Sequence, residues 1–216
     1  GSPLTAPTAP GGPGNPINVA LDLDFDILNE IDITSVAGYG QGSFEVLDKL
    51  TLTAGLRYTY EKKDYFLNHQ RIASGTFIVP MQTITESWSE LTPMGSVQYQ
   101  WTDDLMTFAT ISRGFKSGGF NGRPTVSTLV ESFDPEFVTS YEIGIKSEWF
   151  GRRLRLNAAA FFMDYADMQI TATSADPVTG SFVSRTDNIG SAELQGVEVE
   201  LTVLPMEGLK IGTTLG

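Results

Sequence analysis

The chain has 216 residues, 41% of them hydrophobic, with 22 glycines, no cysteine and a net charge of −12. That length can bury a sizeable core, and the apolar fraction is too high for a chain that is disordered throughout. Lack of cysteine excludes a disulfide framework, a zinc–thiolate centre, an iron–sulfur cluster and a thiol nucleophile, and a pI near 4.4 argues against a phosphate-backbone binder, so nucleic acid is not an expected partner.

Residues 1–33 read as a Pro/Gly-rich and acidic linker or external loop: Gly1 to Pro16 carry no charge and have neither the basic start nor the apolar centre of a signal peptide. The alternating Asp22, Asp24 and Asp26, with Glu30 and Asp32, fit only the start of a calcium loop, so a solvated acidic loop is favoured. From residue 34 to 216 helical periodicity is almost absent and period-two alternation recurs, so the chain is expected to be all-β. Leu50, Leu52, Ala54, Leu56, Tyr58 and Tyr60 oppose Thr51, Thr53, Gly55, Arg57, Thr59 and Glu61 across a strand. Leu91, Pro93, Val97, Tyr99 and Trp101 oppose Glu90, Thr92, Ser96, Gln98 and Gln100. The segment Leu105–Phe115 fits poorly, because Leu105, Ala109 and Ile111 fall on its expected polar face. Tyr141, Ile143, Ile145 and Trp149 oppose Glu142, Lys146 and Glu148. Leu154, Leu156, Ala158, Ala160 and Phe162 oppose Arg153, Arg155 and Asn157, and Val197, Val199, Leu201 and Val203 oppose Glu198 and Glu200.

Seven strands are expected from roughly Ser35 to Leu204, and an eighth begins at Leu209. Tight turns are placed near Leu47–Lys49, Thr102–Asp103, Phe150–Gly151 and Pro205–Gly208, and long connections near Lys63–Thr83, Lys116–Glu136 and Thr171–Ile189. Short and long alternate, which puts all the turns at one rim of an up-and-down meander and all the loops at the other, as in outer-membrane barrels. No stretch is long and apolar enough for a transmembrane helix, but a barrel wall averages to a mean hydropathy near zero, and the value here is −0.06. Two-residue turns would pair Ile145 with Leu156 and Glu148 with Arg153, and Val97 with Phe108. The aromatics Tyr58, Tyr60, Tyr65, Phe66, Trp101, Tyr141, Trp149, Phe162 and Tyr165 gather near strand ends, either as interfacial girdles or as plugs of a soluble sandwich core. An eighth strand cut at Gly216 cannot close a barrel, so the sequence is expected to be an excerpt of a larger one.

The residues resemble the TonB-dependent outer-membrane receptors over about Val36 to Gly216. The carriers are Tyr39-Gly40-Gln41 with Leu50 to Tyr58, then Ser112-Arg113-Gly114-Phe115-Lys116-Ser117-Gly118-Gly119-Phe120-Asn121, then Pro135-Glu136 with Ser140 to Lys146, then Leu156 to Tyr165, and Gly196 to Glu200. The resemblance implies that the seven or eight strands belong to a 22-stranded antiparallel transmembrane β-barrel of a Gram-negative outer membrane, filled by a plug domain. It also implies energy-coupled uptake of a scarce nutrient, an iron–siderophore complex or another small-molecule chelate. The implied partners are outer-membrane lipid, the plug, and the TonB complex acting through that plug, which is expected to lie outside this excerpt. The alternative from another class is a self-contained soluble β-barrel or sandwich binding a small apolar ligand inside.

No catalytic, cofactor or metal site is expected, and the chain is not read as an enzyme. Lys116-Ser117-Gly118-Gly119 lacks P-loop spacing and reads as a loop leaving the rim. His69, the only histidine, is expected to be solvated in an external loop, with an iron-chelate contact the lesser reading. Asp164 and Asp167 read as rim carboxylates. The candidate lumen-facing set is Arg57, Glu90, Arg113, Glu142, Lys146, Glu148, Arg153, Arg155, Glu198 and Glu200, either a ladder of cross-strand pairs on any wet face or a hydrated wall against the plug.

Overall fold

Long alternating segments bounded by turn residues satisfy their backbone groups by pairing edge to edge. The computed structural model describes residues 25–122, 130–175 and 182–216. Eight strands make one antiparallel sheet: β1 (Phe25–Leu47), β2 (Leu50–Arg71), β3 (Phe77–Thr102), β4 (Leu105–Lys116), β7 (Glu136–Trp149), β8 (Leu154–Ala175), β9 (Phe182–Met206) and β10 (Leu209–Leu215). Each lies beside its neighbour in chain order, which is the expected up-and-down meander. Two short strands, β5 (Gly119–Phe120) and β6 (Ser132–Phe133), pair separately inside the β4–β7 connection. Among the described residues β1 and β10 each have one neighbour, so this sheet does not close on itself.

The turns at Asp48–Lys49, Asp103–Asp104, Phe150–Arg153 and Glu207–Gly208 lie at one end of the sheet, and the β2–β3, β4–β7 and β8–β9 connections at the other. Two expected boundaries are corrected. β1 begins at Phe25, so residues 25–33 are strand paired with 63–71 rather than linker, while Asp22 and Asp24 lie outside the described residues. Much of the expected loops at 63–83 and 171–189 is also strand, because β2, β3, β8 and β9 run for 22, 26, 22 and 25 residues. About 9–11 residues suffice to cross a bilayer, so these four strands stand well above one.

Two registers are corrected as well. The β7–β8 turn is four residues long, with Phe150, Gly151 and Arg152 all at positive φ. It pairs Ile145 with Ala158 and Glu148 with Arg155, a shift of two that leaves the faces as expected. Between β3 and β4 an irregularity at Gln100/Thr102 shifts the register by one, so Val97 faces Ala109 rather than Phe108. A one-residue slip exchanges faces. It carries Ala109 and Ile111 to the apolar side, next to Ile143 and Tyr141, and removes the misfit of β4.

One face therefore presents Leu52, Leu56, Tyr58, Leu91, Val97, Ile111, Tyr141, Ile143, Ile145 and Val197, all exposed. A soluble protein rarely leaves so extensive an apolar face open. The soluble alternative requires that face to be covered, and among the described residues nothing covers it. Tyr141 and Trp149 on β7 are eight residues apart, about 27 Å along the strand, or about 20 Å of height at the usual barrel tilt, close to the apolar band of such walls.

The buried apolar side chains among the described residues are Tyr65, Leu67 and Val79, with Ile78, Ile84, Phe120 and Val130 packed against them. This core is not between layers of sheet. It lies on the polar face of the β2–β3 extension, under the β4–β7 connection, so Tyr65 is corrected from girdle aromatic to core. Leu67→Ala should destabilise this region by about 2–5 kcal/mol, as for buried leucines elsewhere. Hydrogen exchange of the β2 and β3 amides above Tyr60 measures it.

Candidate functional site: a polar wall and the loop folded onto it

Strand alternation puts most of the candidate lumen-facing residues on the face opposite the apolar one. Pairing sets Thr59 beside Glu90, Met106 beside Lys146, Asn157 beside Glu200 and Ala159 beside Glu198, with Arg57 and Glu142 on the same side. In the middle of the wall, Ser96, Gln98, Glu142, Lys146, Glu198 and Glu200 line a shallow trough of about 380 Å³. Asn157 Nδ2 donates to Glu200 Oε2 at 3.2 Å and Arg57 Nε to Thr59 Oγ1 at 3.2 Å. Lys146 Nζ lies 5.5 Å from the centre of the Phe108 ring, which itself covers Gly144. Near the tight turns Glu148 accepts Arg155 Nη2 at 2.6 Å and Arg152 Nε at 3.1 Å. Arg155, not the expected Arg153, is its partner across the ladder, because the longer turn moves Arg153 into the bend.

Arg113 does not join this face. The shifted register puts it with Ile111 and Thr139 on the apolar side, and its guanidinium lies 4.3 Å from the centre of the Phe137 ring. An arginine there fits the aromatic border of the apolar band, where its stem packs and its charge stays wet. Asp164 pairs with Thr139 and Glu193 in the same row. Asp167, at φ 55, sits in an irregularity of β8.

Above the aromatic border the β4–β7 connection folds back onto the polar face. Lys63 Nζ donates to Gly118 O at 2.6 Å, pairs with Glu61 at 3.1 Å and stands 5.4 Å from the Trp88 ring centre. Phe120 stacks on Tyr65 at 5.1 Å and meets Trp88 edge-on at 6.3 Å. Burial opposes the Glu61 charge, but hydrogen bonds from Ser117, Lys63 and Ser35, with the Lys63 charge, outweigh it and hold the carboxyl below its usual value. Burial alone pushes the Tyr65 hydroxyl up.

His69 is corrected from a solvated loop residue to a buried one, 1% exposed, with Nε2 2.7 Å from Asn29 Oδ1. Among the described residues no three His, Cys, Asp or Glu side chains come together as a metal site. Glu61 was read on the polar face of its strand and stands there, whereas Lys63, Trp88 and Asn121 were not among the sequence candidates. The signal for them is the Gly118-Gly119 pair before Phe120: an added Cβ at Gly118 would collide with the Trp88 ring and the Phe133 carbonyl, and one at Gly119 with the Phe133 ring.

A family model described as TonB dependent receptor-like, beta-barrel matches residues 3–215. The chain belongs to the TonB-dependent receptor family. Its barrel wall is therefore a part of the Gram-negative outer membrane, in a family of receptors and transporters rather than enzymes. The chain is 25% identical over 166 residues to the pesticin receptor of Yersinia pestis, covering 77% of this chain and 23% of that protein. It is 28% identical over 173 residues to the ferric-pyoverdine M114 receptor PbuA of Pseudomonas sp. strain M114, covering 80% and 20%. The solved ferric yersiniabactin uptake receptor FyuA from Yersinia pestis shares its fold with a TM-score of 0.73 at 21% identity, covering 88% of this chain and 27% of that one. The copper transporter OprC does so with a TM-score of 0.63 at 14% identity, covering 85% and 29%. The chain thus spans about a fifth to a quarter of the curated relatives it matches.

Proposed function

We propose that this chain supplies barrel wall and external loops to an outer-membrane receptor that takes up a scarce nutrient, a metal chelate, with energy coupled through TonB. The observation that carries the reading is the division of one continuous sheet into an exposed apolar face and a charged face, with the tight turns among the described residues at one end and the tall extensions of β2, β3, β8 and β9 at the other. In this reading the apolar face meets lipid, and Arg57, Glu90, Glu142, Lys146, Glu148, Arg155, Glu198 and Glu200 line the lumen against a plug. Arg153 belongs to the periplasmic rim, and Arg113 to the outer membrane interface. The names of two relatives, a ferric-pyoverdine receptor and a metal-pseudopaline receptor, support a metal chelate as the class of cargo.

The test is growth and radiolabelled-metal uptake under metal limitation, in a strain lacking the receptor that contains this chain, across a panel of ferric, cupric and zinc chelates. At least one chelate should be taken up only when the receptor is restored, and only in cells with TonB. No receptor-dependent uptake of any metal chelate would overturn the cargo class, and restoration without TonB would overturn the coupling.

A further inference from the structure

The Ser117 to Asn121 stretch does something that neither the wall nor its charges explain. β4 and β7 are short, 12 and 14 residues, and stop at Lys116 and Glu136. Their neighbours continue: the β3–β4 ladder ends at Met94/Ser112 although β3 extends back to Phe77, and the β7–β8 ladder ends at Phe137/Ala166 although β8 extends to Ala175. The sheet therefore has a notch between two tall flaps, β1–β3 on one side and β8–β9 on the other. The described parts of the β4–β7 connection, residues 117–122 and 131–134, lie across that notch and are bonded to both flaps. Toward β1–β3, Gly118 O accepts from Lys63, Phe120 stacks on Tyr65, and Gly122 O accepts from Asn29 Nδ2 at 2.7 Å. Toward β8–β9, Asn121 Oδ1 accepts from the Thr186 backbone N–H at 2.7 Å, Glu131 pairs with Arg185 at 3.1 Å, and Asn188 holds Asp134 through two hydrogen bonds of 2.7 and 2.8 Å.

The geometry points to a fixed strap: residues 117–122 and 131–134 tie the two flaps together across the notch and stay docked while cargo is bound and released. Asn121 is its pin, a positioning residue that is itself buried and is the member of the stretch that reaches β9 from the β2 side. The glycine pair follows from the same requirement, since the backbone must pass against Trp88 and Phe133 without a Cβ between them. A strap held from both sides and over a buried aromatic contact opens rarely, unlike a loop held at its two ends alone. This inference rests on the proposed uptake reading for its consequence in transport, but the docking itself can be tested without transport.

The chain has no cysteine, which makes site-directed cross-linking selective within it. In the full-length receptor, Asn29→Cys with Gly122→Cys would link the strap to the first flap, and Glu131→Cys with Arg185→Cys would link it to the second. A short reducible bis-thiosulfonate applied to whole cells should join both pairs. The linked receptors should keep uptake within about twofold of their reduced forms, because nothing that must move has been tied. Failure of either pair to link would overturn the strap, and so would a fall in uptake of about tenfold that reduction reverses, which would make this segment a gate. The second measurement is protease cleavage within residues 117–122 and 131–134 on intact cells. The unaltered receptor should resist with and without cargo, and Asn121→Ala or Gly118→Val should raise cleavage by about tenfold. Equal cleavage in the unaltered receptor would overturn the strap even if no cargo is ever found, whereas protection without any uptake would count against the uptake reading alone.

Discussion

Ile145→Arg should cost the receptor about 2–4 kcal/mol in the bilayer, and Ile143→Arg, two residues nearer the Tyr141 border, noticeably less. Ile145 lies midway between Tyr141 and Trp149, beside Ala158 and Thr107 on the apolar face. Ile143 is 63% exposed. In a water-soluble protein a change at so open a position would cost within about 0.5 kcal/mol. In a barrel wall the new guanidinium must be carried into hydrocarbon or snorkel to an interface, and the penalty grows with depth. The measurement is the denaturant midpoint for folding the receptor into lipid vesicles, with Glu142→Gln as the comparison on the wet face. A graded loss at 145 and 143 with little change at 142 is expected, and three equal small effects would contradict a lipid-facing surface.

The second large effect is expected at Gly144. A Cβ there would approach within 2.5 Å of two carbons of the Phe108 ring and 2.9 Å of the Ala158 carbonyl oxygen. Phe108 faces Gly144 directly across the β4–β7 ladder and lies over it on the wet face, so the ring has nowhere to go without losing its place beside Lys146. Gly144→Ala should destabilise the wall by about 1–3 kcal/mol, the usual cost of forcing a close-packed contact apart. Phe108→Ala removes most of that conflict, so the double variant should be more stable than the sum of the two single losses predicts, with a coupling of about 1 kcal/mol or more. Strict additivity would mean that the ring and the glycine do not meet in the folded wall.

Most of the faces were legible in the sequence because lipid on one side and water on the other impose a period of two over the spanning part of each strand. That is why Leu50 to Tyr60 and Tyr141 to Trp149 could be read residue by residue. Register was less legible, since it depends on turn geometry. Three successive positive φ values at Phe150, Gly151 and Arg152 lengthened one turn and moved the partner of Glu148 from Arg153 to Arg155. The irregularity at Gln100/Thr102 reversed the faces of β4 and took Arg113 out of the charged set. Above the membrane the constraint disappears altogether. Lys63 and Asp64 read as the start of a loop because both faces tolerate charge there, yet the ladder with β1 and β3 runs straight through them. The burial of Tyr65 and His69 was hidden for another reason: Phe120, more than fifty residues on, stacks on Tyr65, and His69 is held by Asn29, which itself bonds Gly122.

The most direct measurement is a nitroxide scan of single-cysteine variants at each position from 138 to 146 of β7, in the full-length receptor reconstituted in bilayers. Collisions with oxygen, which concentrates in hydrocarbon, should peak at 141, 143 and 145, and collisions with a water-soluble nickel chelate at 142, 144 and 146, alternating at the strand period of two. Uniform access of the nickel reagent to all nine positions, or the opposite alternation, would contradict a wall whose apolar face meets lipid and whose charged face lines the lumen.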